Sequence, residues 1–158
     1  MTTYLASRGH TRIATIAGPP DTAGGIERLA GYRAALGEAV DERLIATGDY
    51  SRDSGAAAMA ELLGRNVPID AVFAASDLMA AGAIEVLRER GLRVPDDIAV
   101  AGFDDTGLAA SLKPALTTMH QPFDRIADEM VRLLLAVIDG AAPAATLLPI
   151  TLVVRDSA

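Results

Sequence analysis

Short apolar runs alternate along the chain with stretches whose apolar residues recur every three to four positions. That is the pattern of strands and crossover helices in a parallel sheet. The first run, Ile13 to Ala17, predicts a strand that empties into Gly18-Pro19-Pro20, and a helix is expected after Gly24-Gly25, with Ile26, Leu29, Ala30, Leu36 and Val40 along its apolar side. Leu44 to Thr47 reads as a second strand. Ser51 or Asp53 then offers an oxygen to cap a helix over Gly55 to Leu63, and Gly64 suits the left-handed turn after it. Ala71 to Ala75 is a continuous apolar run, as a strand buried on both faces requires. Asp77 reads as the cap of the next helix, which carries Leu78, Ala81, Ile84 and Leu87 on one side and stops at Gly91. Val94-Pro95-Asp96-Asp97 turns the chain into a strand over Ile98 to Phe103. A long helix, Asp124 to Ile138, follows with Pro122 at its start and Ile126, Met130, Leu133, Leu134 and Val137 in one stripe. A short alanine-rich linker, Ala141 to Ala145, and a last strand, Leu148 to Val154, close the chain. The fold class expected is α/β, a doubly wound parallel sheet.

Composition narrows what such a sheet can do. A chain of 158 residues can bury roughly 70% of its unfolded surface in one core. With 14 Lys+Arg against 21 Asp+Glu the net charge is −7, the wrong sign for a polyanion partner. The densest basic group, Arg88, Arg90 and Arg93, is interleaved with Glu85 and Glu89 and reads as a solvated helix end. The chain is therefore not expected to grip nucleic acid by itself. The absence of cysteine removes disulfides and thiolate metal sites. The longest purely apolar run, Leu133 to Ile138, falls far short of the roughly 20 residues that cross a bilayer, and Thr2-Thr3-Tyr4 does not read as the basic and then apolar start expected of a leader. A cytoplasmic location and no membrane partner are the expectation.

In an open parallel sheet, ligands bind outside the carboxyl ends of the strands. That singles out the loop leading to Arg28, the segment Gly48-Asp49-Tyr50, Ser76-Asp77 and Asp104-Asp105. Arg28 offers five donors in a rigid fork, ionised Asp104 only accepts, Ser76 can do both, and Tyr50 adds a flat apolar face with one hydroxyl. Vicinal hydroxyls of a sugar need that mixture. Plainer roles stay open for each residue: Asp77 and Asp49 as cap or turn residues, and Arg28 as a surface charge. No phosphate loop, dinucleotide fingerprint, nucleophile elbow or zinc-helix motif occurs. The two histidines, His10 and His120, are not obviously near Ser76 or Ser111. Asp77, Asp104 and Asp105 form the one set that could hold Mg²⁺.

Ordered strings over most of the chain then carry a resemblance. They include Gly9-His10-Thr11-Arg12-Ile13-Ala14, Ala17-Gly18-Pro19-Pro20, Arg28 with Gly31-Tyr32-Arg33-Ala34-Ala35-Leu36, and Gly48-Asp49-Tyr50-Ser51. Further on come Ser76-Asp77-Leu78-Met79-Ala80, Gly91-Leu92-Arg93-Val94-Pro95-Asp96-Asp97-Ile98, Gly102-Phe103-Asp104-Asp105, Leu116-Thr117-Thr118 and Gln121-Pro122. In order and spacing the chain resembles the effector-binding core of LacI/GalR-family transcriptional regulators. The resemblance implies a two-lobed, periplasmic-binding-protein-like fold that holds a small effector, a sugar or nucleobase, between its lobes. Carried over by motif, the contacts are Arg28, Tyr50, the Ser76 position and Asp104, with Gln121 near the crossover; Asp77 completes the candidate set. The family usually has Asn where this chain has Ser76, so an amide donor is replaced by a hydroxyl.

By the same analogy residues 1–118 form the second lobe, 119–146 the crossover and a returning helix of the first lobe, and 147–158 the final strand of the second lobe. The chain starts where that second lobe would begin, so operator DNA is expected as a partner only through a helix-turn-helix segment absent from this chain. A homodimer is expected through Leu78 to Arg90 and Thr106 to Leu112. No cofactor and no enzymatic activity are expected. The alternatives are a stand-alone sugar or solute receptor and a small Mg²⁺-dependent α/β enzyme.

Overall fold

The computed structural model of the chain describes residues 1–142 and 144–158. In chain order the elements are α1 (Thr2–Ser7), β1 (Ile13–Ala17), α2 (Ala23–Leu36), β2 (Ile45–Thr47), α3 (Arg52–Gly64), β3 (Ala71–Ala74) and α4 (Asp77–Glu89). They continue with β4 (Ala99–Ala101), α5 (Gly107–Ser111), β5 (Thr118–His120), α6 (Phe123–Ile138) and β6 (Thr151–Val153). β1, β3 and β4 are buried at every position, as strands covered on both faces must be. The four strands pair in parallel in the order β2-β1-β3-β4, with Ile13 opposite Ala71 and Ala71 opposite Ala99.

Alternation sends the strand residues to two cores. Ala14, Ile16, Val72, Ala74 and Val100 meet Met59 and Leu62 of α3 and Met79, Ala83 and Leu87 of α4. Ile13, Ala71, Phe73, Ala99 and Ala101 meet Leu5 of α1 and Tyr32 of α2. The Tyr32 hydroxyl donates to the Ile13 carbonyl at 2.8 Å, and burial pushes its pKa up to about 12. α3 and α4 cross closely because Gly55 lies on the backbone of Met79 and Gly82 on that of Arg52, with no room for a Cβ at either. Helices thus cover both faces, and the expected doubly wound architecture holds.

β5 and β6 form an antiparallel ribbon that extends the sheet past β4. It is attached where Gly102 N donates to Thr117 O and Asp104 N to Met119 O, each at 2.9 Å. The last residues lock it: the Ser157 hydroxyl donates to Val100 O at 2.6 Å and accepts from Thr117 N at 2.8 Å.

Several local expectations need correction. Ser76, not Asp77, caps α4, its hydroxyl accepting from Met79 N at 3.2 Å; Asp77 is the first helical residue. α2 begins at Ala23 under a Thr22 cap, so Gly24 and Gly25 lie inside it, and Val40 falls beyond its end. Gly64 is the last residue of α3, and the left-handed position after that helix is Asn66, at φ 53°. Ser51 rather than Asp53 caps α3. The expected strand over Leu148 to Val154 contracts to Thr151–Val153. Of the linker read over residues 141–145, Pro143 lies outside the described residues.

α6 stands apart. None of its residues is buried, and Met130, Leu134 and Ile138 are 66%, 60% and 69% exposed. Ile126 and Leu133 of the expected stripe are half-buried, next to Leu147, Leu148 and Ile150.

Candidate functional site

At the carboxyl edge of the sheet a cavity of about 380 Å³ is lined by Thr22, Gly24, Arg28, Tyr50, Ser76, Leu78 and Asp104. Each wall comes from a different strand end. The loop after β1 delivers Thr22, the first turns of α2 deliver Arg28, the turn after β2 delivers Tyr50, the β3–α4 junction delivers Ser76 and Leu78, and the turn after β4 delivers Asp104. Two of these turns hold non-glycine residues in the left-handed region, Tyr50 at φ 71° and Asp104 at φ 113°. Backbone strain of this kind persists only where surrounding contacts fix it, and it aims both side chains into the cavity.

Arg28 is the cation of the site. Its Nη1 donates to the Ala75 carbonyl, and its Nη2 lies 3.6 Å from Asp104 Oδ1. Its guanidinium carbon sits 3.8 Å over the Phe103 ring centre and 5.8 Å from that of Tyr50. Asp104 Oδ1 also accepts from the Gln121 side chain at 2.6 Å, so one carboxylate oxygen is engaged and Oδ2 has no hydrogen-bond partner among the described residues. Burial raises the Asp104 carboxyl above its ordinary 3.8, outweighing the Gln121 hydrogen bond and the Arg28 charge that pull it down. The Tyr50 hydroxyl lies 3.2 Å from that of Thr22, which fixes the edge of the ring.

The sequence-predicted residues do not all reach this cavity. Arg28, Tyr50, Ser76 and Asp104 line it. Gln121 acts one step back, through Asp104. Asp77 is 1% exposed and bonded elsewhere: Oδ2 accepts from Thr106 N at 2.7 Å and Oδ1 from the Thr118 hydroxyl at 2.6 Å. Burial raises its carboxyl too, against those hydrogen bonds. Asp105 is bonded to Arg155 at 2.6 Å and to His120 Nδ1 at 3.1 Å. The three aspartates a metal reading would join are thus each tied to different partners. Sequence reasoning missed Thr22, Leu78 and Phe103. Thr22 was visible as a cap residue before α2, and Phe103 as the aromatic that immediately precedes Asp104.

An open cleft with one fixed cation, one half-free carboxylate, a flat ring and hydroxyls can hold a small polyhydroxylated molecule through bidentate hydrogen bonds and ring packing. Residues 2–158 match the family described as periplasmic binding protein-like domain. The chain is 50% identical over 161 residues to the HTH-type transcriptional regulator CelR of Thermobifida fusca, covering 99% of this chain and 47% of that protein. It is 42% identical over 137 residues to the ribose operon repressor of Escherichia coli strain K12, covering 85% of this chain and 42% of the repressor. Among solved structures, the CelR–cellobiose complex superposes with a TM-score of 0.96 at 49% identity, over 99% of this chain and 50% of that one. The Lac repressor bound to ONPG superposes with a TM-score of 0.92 at 34% identity, over 99% of this chain and 48% of that one. The chain spans about half the length of the relatives it matches. It belongs to the periplasmic-binding-protein-like domain family, in the form found in the effector domains of LacI/GalR-type transcriptional regulators.

Proposed function

We propose that this chain is the effector-sensing part of a LacI/GalR-type regulator and that its cavity holds a sugar. The observation that carries this is the Arg28–Asp104 pair: a guanidinium with free donors beside a carboxylate with a free oxygen, next to the Tyr50 ring. Adjacent hydroxyls of a pyranose fit such a pair, and a ring's apolar face fits Tyr50. The relative solved with cellobiose makes a β-linked disaccharide the first probe. The absence of an amide at position 76 agrees with a cavity that selects by the Arg28–Asp104 pair, because the Ser76 hydroxyl already spends one acceptor site on Met79 N and offers a single donor where an amide would offer two.

In this reading residues 1–118 and 147–158 form one lobe and 119–146 the crossover with a helix belonging to the opposite lobe. The chain works in the cytoplasm as a dimer, needs no cofactor and catalyses no reaction. Operator DNA is contacted only by a helix-turn-helix segment that is no part of these residues.

Titration of the chain against mono- and disaccharides, cellobiose included, with and without Mg²⁺, tests the reading. Metal-independent, saturable binding to a sugar is expected. Because loops of a single lobe line the cavity, the expected dissociation constant is weaker than about 1 μM. Sugar turnover that depends on Mg²⁺ would instead support the enzyme built on Asp77, Asp104 and Asp105.

A further inference from the structure

Effector recognition at this site depends on where the Arg28 fork points, and what sets that direction lies outside the cavity. The hydrogen bond from Nη1 to the Ala75 carbonyl anchors one corner of the guanidinium. A single anchor leaves the plane free to roll about the bond, and the 3.6 Å separation from Asp104 is too long to stop it. The Phe103 ring centre lies 3.8 Å from the guanidinium carbon, close enough to stand in the way of that rotation. Phe103 does not line the effector cavity. It lines the neighbouring one, of about 480 Å³, with Tyr32, Phe73, Met119 and Ile150, and Arg28 stands in the wall common to both.

The backbone holds Phe103 still. Its carbonyl accepts from Asp77 N at 2.8 Å, and the next residue's N–H donates to Met119 O at 2.9 Å. Its ring packs against the core that contains Tyr32 and Phe73. A rigid aromatic face under a planar cation offers both attraction and a fixed plane. We propose that Phe103 is the positioning residue for Arg28: it touches the guanidinium and not the effector, and it keeps the remaining donors of Arg28 turned toward Asp104 and the cavity. A long side chain ordered before binding loses little freedom when the ligand arrives. The binding consequence rests on the sugar-effector reading; the ordering of Arg28 does not. If Phe103 only filled space, an aliphatic residue of similar size would serve equally well.

The test compares the wild-type chain with Phe103→Leu, Phe103→Met and Phe103→Tyr. The first readout needs no ligand: NMR of the Arg28 Nε–Hε group, reporting its order and the rotation of its guanidinium. Arg28 is expected to be ordered in wild type and Phe103→Tyr and mobile in the two aliphatic variants, whose melting temperatures establish that they fold. The second readout is titration with cellobiose, where the aliphatic variants are expected to bind about tenfold more weakly and Phe103→Tyr about as well as wild type, the scale of one cation–aromatic contact. Arg28 as ordered in a folded aliphatic variant as in wild type overturns the proposal. So does a mobile Arg28 with unchanged affinity. If the wild-type chain binds no sugar, the effector reading fails, and the order measurement alone decides the role of Phe103.

Discussion

The hydroxyl of Tyr50 occupies the space that a side chain on Gly18 would need. Gly18 directly follows β1 and Tyr50 follows β2, so two strand ends meet there with the ring laid directly on bare backbone. The ring's place is thus set by three things: the missing side chain, the Thr22 hydroxyl at 3.2 Å and the left-handed backbone at Tyr50 itself. Gly18→Ala should push the ring out of this position. Overfilling a packed contact typically costs about 1 to 3 kcal/mol. Since the ring is the displaceable partner, most of that cost should appear in ligand affinity rather than in melting temperature. A variant that binds sugar as tightly as the parent would show that the Tyr50 ring takes no part.

Arg28→Ala and Asp104→Ala should each weaken sugar binding by roughly 1 to 3 kcal/mol per lost hydrogen bond, with the larger values for charged groups. The paired loss should be less than additive, because the two side chains lie 3.6 Å apart and act on the same ligand hydroxyls. Calorimetry on the two single variants and the double variant measures this. Unchanged affinity in both single variants would remove the site.

Acid should separate Asp104 from an ordinary carboxylate. Its folded-state carboxyl is raised above 3.8 by burial, so on acidification the native state takes up a proton before the unfolded state does. Burying the ionised form therefore costs stability at every pH above that window, and the cost is relieved as pH falls through it. Sugar binding follows the opposite course, because a protonated Asp104 loses acceptor capacity. Affinity should begin to fall while the pH is still above 3.8, and Asp104→Asn should bind weakly with little pH dependence over the same range. Binding that holds constant down to the ordinary carboxylate value would contradict the assignment of Asp104 as an ionised acceptor.

Most of the fold was legible because strands buried on both faces cannot hide. Ile13 to Ala17 and the Ala71 run read as strands from composition alone, and so they are. β5 was not legible. Thr118-Met119-His120 has no apolar run and becomes a strand only through its pairing with β6 and its hydrogen bonds to the end of β4. α1 escaped notice because Thr2–Ser7 is short and half polar, its place set by Leu5 in the core. At the site, residue types at strand ends pointed to Arg28, Tyr50, Ser76 and Asp104. The division of labour between Ser76 and Asp77 was not visible, since either oxygen could have capped α4. What decides it is the approach of Thr106 and Thr118, which claim the Asp77 carboxylate from 29 and 41 residues away.

The exposed side of α6 makes a separate prediction about association. Met130, Val131, Leu134 and Ile138 are all more than half exposed, and burying each large apolar side chain is worth about 1.5 to 3 kcal/mol. The isolated chain should self-associate at tens of micromolar through this helix in addition to the dimer expected through Leu78 to Arg90, and Met130→Glu with Leu134→Glu should reduce the assembly to that dimer in sedimentation while leaving the melting temperature unchanged. An unchanged sedimentation profile would mean that the helix face is not what joins the chains.

The central claim is that a sugar sits among Arg28, Tyr50, Ser76 and Asp104. NMR chemical-shift mapping of the labelled chain during titration with cellobiose and simpler sugars tests it most directly. The predicted result is a saturable set of shifts confined to the four strand-end turns, at residues 18–28, 48–51, 76–78 and 102–104, and absent in Arg28→Ala. Shifts centred instead on the neighbouring cavity around Tyr32, Met119 and Ile150, or on α6, would contradict it.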